Sequence, residues 1–115
     1  MDAAALAEIE AIKQLKARYF RLLDTKQWDA WRDVFSDDFT AEVHGGSFHE
    51  PIHFGSPEEM VASNRKILAE VPTVHHGHMP EITLTGPSSA TGIWAMMDIV
   101  KLGDGFRGYG HYHEE

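Results

Sequence analysis

The sequence contains no cysteine. Disulfide bridges, thiolate zinc sites and thiol nucleophiles are therefore excluded, and this composition fits a reducing compartment such as the cytoplasm. The sequence also lacks any apolar run close to the roughly 18 residues that a spanning helix needs. Its first residues do not combine a basic segment with a long apolar one, as a secretory signal does. We therefore expect a cytoplasmic protein with no membrane partner.

Basic residues are scarce. Ten Lys and Arg stand against eighteen Asp and Glu, which gives a net charge of −8. This charge repels phosphate backbones, so nucleic acid is not an expected partner. The sequence also lacks the glycine-rich loops that cradle phosphates and the Gly-x-Ser-x-Gly elbow of serine hydrolases. We therefore expect no cofactor. Hydrolysis by a serine triad has little support in the sequence.

The residues that are present fit one globular domain over residues 1–115. Hydrophobic residues make up 43% and charged residues 24% of the chain, which is ordinary for a folded protein. From about residue 3 to residue 23, apolar residues recur every three or four positions, which predicts a long helix. Lys16 is among the charged residues that this pattern assigns to the other side of the helix.

A second, shorter helix is predicted next. Trp28, Trp31 and Phe35 fall at positions i, i+3 and i+7, and this spacing is typical of residues that face a core. Asp24 or Thr25 is available as its N-cap. The two helices are expected to form a hairpin.

Short extended segments follow around Phe39–His44 and Phe48–Phe54. Gly45-Gly46 lies between them and predicts a hairpin turn. Ser56-Pro57-Glu58-Glu59 then has the pattern of a capping box with proline in the first turn, which predicts a helix to about Glu70.

Three long strands are predicted over the rest of the chain, at about Val74–Thr85, Ala90–Leu102 and Phe106–His113. Helices that precede an antiparallel meander indicate the α+β class. We expect the N-terminal helices to pack on a curved, mainly antiparallel sheet that encloses an apolar cavity.

Asp98 is the most informative residue of these strands. It shares a strand face with Trp94 and Met96, and a carboxylate in such surroundings is costly to bury unless it is paired. The cluster His75-His76-Gly77-His78 lies one strand earlier and supplies a partner, which would make a general acid/base. The alternative is that Asp98 marks the point where the strand reaches solvent, with the histidines facing solvent as well.

Tyr19 and Asp24 are candidates from the first helix. Tyr19 lies on its apolar stripe and Asp24 closes it, so both side chains can point from its end toward one cavity. The alternatives are a core tyrosine and a helix cap. A metal site is a further alternative, because residues i and i+2 share a strand face and this pairs His76 with His78 and His111 with His113. Metal-binding spacing such as H-E-x-x-H is absent.

These motifs together resemble the SnoaL-like branch of the nuclear transport factor 2-like superfamily. Within that branch the chain is most similar to bile acid 7α-dehydratase, and more distantly to scytalone dehydratase and ketosteroid isomerase. The resemblance extends over nearly the whole chain and is carried by Ala11–Phe20, Leu23-Asp24, Trp28-Asp29, Phe35, His75–Ile82 and Ala90–Trp94.

The resemblance implies a cone-shaped fold, often in dimers or trimers, and four catalytic residues: Tyr19, Asp24, His75 and Asp98. His75 is then expected to abstract a proton, with Asp98 holding its tautomer. Tyr19 would donate to an oxyanion or leaving hydroxyl, and Asp24 would orient Tyr19 or bind a polar group of the substrate.

The expected activity is a cofactor-independent dehydratase or isomerase acting on an apolar, polycyclic hydroxy-ketone or enone. The expected substrate-binding residues are Trp94, Met96, His78 and Val43. The resemblance implies that Val43 replaces a tyrosine of the dehydratase and that the family's C-terminal strand is missing. The exposed sheet edge would favour a homo-oligomer. The alternative is a non-catalytic module for binding or assembly.

Overall fold

The computed structural model describes residues 2–45 and 50–115. Within these ranges the helices are α1 (Ala3–Asp24), α2 (Trp28–Arg32) and α3 (Pro57–Leu68). The strands are β1 (Ala41–Val43), β2 (Ile52–Phe54), β3 (Thr73–Gly86), β4 (Ser89–Val100) and β5 (Phe106–Glu114). The predicted α+β order is confirmed.

Helix α1 has the predicted length. The carboxylate of Asp2 caps its first turn by accepting the N–H of Ala5 at 2.8 Å. The helix includes Asp24, and the chain then reverses at Lys26, whose φ of 60° lies in the left-handed region. This reversal directs the chain into α2.

Helix α2 differs from its prediction at both ends, because it also ends at Arg32, before Phe35. Its N-cap is Gln27, which makes no side-chain capping bond, so the predicted caps Asp24 and Thr25 are wrong. Both residues instead belong to the end of α1, where Thr25 is the C-cap. The core positions are confirmed, because Trp28 and Trp31 are both buried.

Strands β1 and β2 pair antiparallel, as a hairpin requires. Gly46 of the predicted turn and the start of the second predicted segment lie outside the described residues. Helix α3 begins with the predicted cap, in which Ser56 Oγ accepts the N–H of Glu59 at 3.1 Å. The Glu59 carboxylate accepts the N–H of Gly55 rather than that of Ser56. The helix ends at Leu68, two residues before the predicted end.

Strands β3, β4 and β5 form an antiparallel meander in that order. The short pair β1 and β2 forms a separate sheet, so the described strands make two sheets rather than one continuous sheet. A register shift interrupts β3 between His78 and Glu81, where Met79 has a φ of 42°. The strand therefore bulges next to Pro80.

The inner face of the meander packs on α1. A side chain at Gly77 would collide with the ring of Phe20, so glycine permits the close approach of β3 to this helix. The main core lies beside it, where α1, α2 and α3 converge on the fully buried Trp31. Among the described residues, no helix has both the length and the apolarity to cross a membrane.

Candidate functional site

Asp24 and His75 form the shortest polar contact between α1 and the sheet. Asp24 Oδ1 lies 2.6 Å from His75 Nδ1, and Asp24 Oδ2 accepts the backbone N–H of His75 at 3.0 Å. The two residues are 51 positions apart in the chain. The end of α1 and the start of β3 are therefore joined by both oxygens of one carboxylate.

A hydroxyl and an ammonium group extend this pair. Thr73 Oγ1 donates to Asp24 Oδ1 at 2.9 Å, and Lys26 Nζ donates to Thr73 Oγ1 at 2.8 Å. Burial opposes the ionisation of Asp24, but the hydrogen bonds from His75 and Thr73 outweigh it and lower the pKa of the carboxyl group. Asp24 is thereby held as an anion beside the imidazole.

The pair is arranged for acid/base chemistry. A carboxylate next to Nδ1 favours the tautomer that carries its proton there, which leaves Nε2 as the nitrogen that takes up a proton. The side chain of His75 is only 10% exposed, so the carboxylate acts on the imidazole with little screening by water.

Asp98 does not make the predicted hydrogen bond to His75. The two residues are cross-strand partners in β3 and β4, but the imidazole nitrogen bonds Asp24 instead. Asp98 Oδ1 is buried and has no hydrogen-bond partner among the described residues. Burial is the main influence on the pKa of Asp98 and raises it, against the opposing effect of His75. Of the two carboxyl groups near His75, Asp98 is therefore easier to protonate than Asp24.

Tyr19 lies among aromatic rings rather than against Asp24. The rings of Trp31, Phe35 and Tyr112 are within 5.6 to 6.2 Å of its ring centroid. Burial raises the pKa of Tyr19 well above its ordinary value, so its hydroxyl stays protonated and can act as a donor. The Asp24 carboxylate bonds His75 and Thr73, and the predicted orienting contact from Asp24 to Tyr19 is not made in the described part of the chain.

Lys16 is the functional candidate that the sequence analysis missed. It is 5% exposed, although the helix pattern assigned it to the charged side. Its Nζ lies 2.9 Å from Glu114 and 3.8 Å from the ring centroids of both Tyr19 and Tyr112. The signal was present in the spacing, because Ile12, Lys16 and Tyr19 fall at i, i+4 and i+7 of one helix.

Lys16 and Tyr19 face the same cavity, which has a volume of about 490 Å³. Trp94 also lines it, and its role in substrate binding stays a prediction. The other wall residues are mainly apolar and include Ile12, Leu15, Val34, Phe35, Phe39 and Leu84. This size and lining are typical of a site for an apolar small molecule.

The remaining predicted residues lie elsewhere. Asp24, His75 and Asp98 are not among the described residues that line the cavity. Three predicted substrate-binding residues are also absent from its lining: Met96, His78 and Val43. Met96 lies on the inner sheet face near Gly108 and Gly110, whereas His78 is exposed on the outer face and Val43 is exposed in β1. The sequence placed all of them around one pocket, but the fold separates them.

The histidine pairs share faces as expected. The rings of His76 and His78 are 5.6 Å apart, and those of His111 and His113 are 6.4 Å apart. In residues 2–45 and 50–115, no three His, Asp or Glu side chains converge as ligands of one metal ion. The pairs therefore give the metal-site alternative no geometric support.

Residues 4–115 match the protein family described as the SnoaL-like domain. Solved structures share the fold at low sequence identity. A scytalone dehydratase-like protein from Novosphingobium aromaticivorans has a TM-score of 0.81 and 19% identity, covering 98% of this chain and 75% of that one. The closer likeness to bile acid 7α-dehydratase stays a prediction.

Two further structures have other functions. The β subunit of benzoate 1,2-dioxygenase from Burkholderia mallei gives a TM-score of 0.71 at 19% identity, covering 96% of this chain and 76% of that one. An epoxide hydrolase of the LEH-like type from M. tuberculosis gives 0.59 at 13% identity, covering 89% and 71%. The fold therefore occurs both in enzymes and in a subunit of a larger enzyme, and the activity has to be argued from the site.

Proposed function

Because this chain belongs to the SnoaL-like family, we propose that it is a lyase or isomerase that works without a cofactor. Its substrate would be an apolar polycyclic hydroxy-ketone or enone. The observation that carries this proposal is the 2.6 Å contact between Asp24 Oδ1 and His75 Nδ1, backed by the bond from the His75 N–H to the same carboxylate. This arrangement turns an imidazole into an oriented general base.

In the proposed reaction, His75 Nε2 removes a proton from the carbon next to the ketone. Asp24 stabilises the imidazolium that results, and Tyr19 donates a hydrogen bond to the oxygen on which negative charge develops. In a dehydration, the electron pair then forms the new double bond as the hydroxyl group leaves. Asp98 is the proposed acid for that hydroxyl, because its burial favours the protonated form. In an isomerisation, the proton returns to a different carbon.

In this proposal a polycyclic ligand would span both parts of the site. Tyr19 lines the cavity and Asp24 does not, but they lie five residues apart on α1, which is about 7.5 Å along the helix axis. A fused-ring molecule is longer than this. It would occupy the apolar cavity at one end and place its reacting carbon beside His75 at the other.

Two readouts test the proposal. Dehydration of a β-hydroxy ketone and isomerisation of a β,γ-unsaturated ketone both produce a conjugated enone, so one absorbance assay can screen both substrate types. In parallel, NMR of the imidazole nitrogens reports the tautomer of His75. We expect Asp24→Asn to change the His75 signals most, and Asp98→Asn to leave the Nδ1 proton in place.

The outcome that contradicts the acid/base proposal is equally definite. It fails if the His75 signals are the same in the unmodified chain and in Asp24→Asn, or if His75→Gln converts an accepted substrate at an unchanged rate.

A binding module is the second candidate function, and one observation favours it. The cavity lining includes Tyr19 and Trp94 but not Asp24, His75 or Asp98, so a ligand that fills only the cavity does not reach the base. For such a module, His75→Gln would leave the ligand affinity unchanged, and the bound ligand would not be converted by either protein. For the enzyme, the same change would preserve affinity and remove turnover.

We further propose that the protein is cytoplasmic and self-associates. The lack of cysteine suits a reducing compartment. Large apolar side chains are exposed on the meander, including Tyr109 at 69% and Phe106 at 54%. Such groups often mark contacts between subunits. Sedimentation analysis would show a dimer or trimer, and a monomer at all concentrations would contradict the proposal.

A further inference from the structure

Lys16 takes no part in the chemistry proposed for His75. It is a buried lysine whose side chain lines the apolar cavity, next to Tyr19 and Trp94. Lysine is almost never fully buried unless it is paired. Its pairing and its access to the cavity therefore both need an explanation.

Three groups hold the Lys16 ammonium. Both oxygens of Glu114 lie 2.9 Å from Nζ. The rings of Tyr19 and Tyr112 each present a face to it, with centroids at 3.8 Å. An amine in these surroundings has one proton acceptor and two aromatic faces that stabilise a cation.

We propose that Lys16 is a nucleophile for carbonyl compounds, and that its Nζ forms an imine with an apolar aldehyde or ketone in the cavity. This activity is independent of the proposed reaction at His75. It assigns the cavity a ligand class, namely molecules with one carbonyl group on an apolar, preferably aromatic, framework.

The steps balance without an added oxidant or reductant. A proton passes from the Lys16 ammonium to the Glu114 carboxylate, and the neutral Nζ adds to the carbonyl carbon, forming the C–N bond while the π electrons move to oxygen. A proton transfer from nitrogen to oxygen gives the carbinolamine. Glu114 then protonates the hydroxyl group, the C–O bond breaks, and water leaves. The products are a protonated imine on Lys16, a Glu114 carboxylate and one water molecule.

The surroundings of Lys16 favour both the first and the last of these reaction steps. Burial lowers the pKa of Lys16 more than Glu114 raises it, which makes the neutral amine more accessible than on a surface lysine. The product is again a cation at the same nitrogen. It therefore keeps the Glu114 carboxylate and the two tyrosine faces as partners.

The rival explanation is structural. Lys16 and Glu114 are 98 residues apart, so their ion pair also ties β5 to α1. A purely structural pair would keep Nζ protonated and unreactive. Reactivity toward a carbonyl probe separates the two explanations, and a measurement of stability does not.

The test is reductive trapping on the full chain. The protein is incubated with 2-naphthaldehyde and cyanoborohydride, which reduces an imine to a stable amine, and the labelled lysine is located by peptide mass spectrometry. Lys13 is the internal control, because it is exposed on the same helix one turn earlier. We expect Lys16 to be labelled at least about tenfold faster than Lys13, as for a lysine activated by an apolar pocket.

Three comparisons strengthen the assignment. Excess 2-methylnaphthalene, which lacks the carbonyl group, should slow the labelling of Lys16 and leave that of Lys13 unchanged. Glu114→Gln should slow Lys16 labelling by about tenfold or more, as loss of a general acid/base group does. Lys16→Arg keeps the positive charge and should abolish the fast label, whereas Lys13→Met should retain it.

Equal labelling of Lys13 and Lys16, or no label on Lys16 in the unmodified protein, would overturn the proposal. Because the primary comparison lies within one unmodified chain, it does not depend on any variant folding. His75→Gln should label like the unmodified protein, so a failure here and a failure of the proposed acid/base function are distinguishable.

Discussion

Two acid and base pairs join α1 to the meander, and they are arranged in opposite ways. At the end of the helix, the carboxylate of Asp24 lies on the helix and the base, His75, on the sheet, with atoms 2.6 Å apart. Two turns earlier, the base Lys16 lies on the helix and the carboxylate of Glu114 on the sheet, with atoms 2.9 Å apart. In both pairs a charge that is largely removed from water is neutralised by a partner on the facing element.

The surroundings of the two pairs differ more than their distances. Asp24 accepts hydrogen bonds from the His75 ring, the His75 N–H and Thr73, so its position is fixed by three donors. Lys16 has one carboxylate and two aromatic faces, and it lines the cavity. The first pair is suited to orienting a base, whereas the second keeps a reactive nitrogen within reach of a ligand.

The largest effect is expected on turnover at the first pair. His75→Gln should lower the turnover of an accepted substrate by about 10² to 10⁴, because a positioned general base contributes that much. The measurement is the initial rate of enone formation under saturating substrate. The matched control is His76→Gln, since His76 lies on the opposite face of β3 and should change the rate by less than about twofold. Equal losses in both variants would show that the rate follows general damage to the strand.

The next largest effect is expected on the stability of the fold, at the pair formed by Lys16 and Glu114. Glu114→Gln should destabilise the fold by about 3 kcal/mol, because it leaves a buried ammonium unpaired. Lys16→Met should cost only about 1 kcal/mol, because the Glu114 side chain is 36% exposed and stays hydrated. Urea unfolding of the two variants gives both values. A larger loss in Lys16→Met would mean that its packing matters more than its charge.

A smaller effect is expected in the pH dependence of stability at Asp24. Hydrogen bonds lower the folded-state pKa of this carboxyl group below its unfolded value of about 4. Its contribution is therefore present above that pH and is lost as the pH falls through the folded pKa. Asp24→Asn should lower the melting temperature at pH 7 and have less effect at pH 3. A difference that does not change with pH would contradict this assignment.

The effect of Asp98 on stability should change with pH in the opposite direction to that of Asp24. Burial raises its folded-state pKa, so ionisation opposes folding once the pH exceeds the unfolded value. Asp98→Asn should therefore raise the melting temperature at pH 7, and this gain should shrink at pH 3. Thermal unfolding at the two pH values, run beside Asp24→Asn, measures both signs at once. A fall at pH 7 would show that Asp98 has a stabilising partner when it is ionised.

Much of this architecture was predictable because it depends on local periodicity. The 3.6-residue pattern predicted the length of α1, the turn residues separated β3, β4 and β5, and the serine before α3 with the glutamates of its first turn predicted where that helix begins. The division of the described strands into two sheets was not predictable from periodicity, because whether two hairpins pair with each other depends on contacts distant in sequence.

The candidate site was predictable in its residues and less so in its contacts. Asp24, His75 and Asp98 were selected from the sequence and its family resemblance, and the fold brings Asp24 and Asp98 to either side of His75. The sequence favoured Asp98 as the hydrogen-bond partner because a carboxylate on an apolar strand face needs pairing and the histidine cluster lies one strand earlier. The structure gives that place to Asp24, since the end of α1 approaches the start of β3.

The sequence by itself determined the family, the order of helices and strands, and the residue types available for acid/base chemistry. Only the tertiary structure decided which carboxylate bonds the imidazole and that Lys16 is buried beside Glu114. The physical reason is distance along the chain. Periodicity reports the neighbours of a residue within a few positions, whereas these partners are 51 and 98 residues apart and meet only when α1 packs on the sheet.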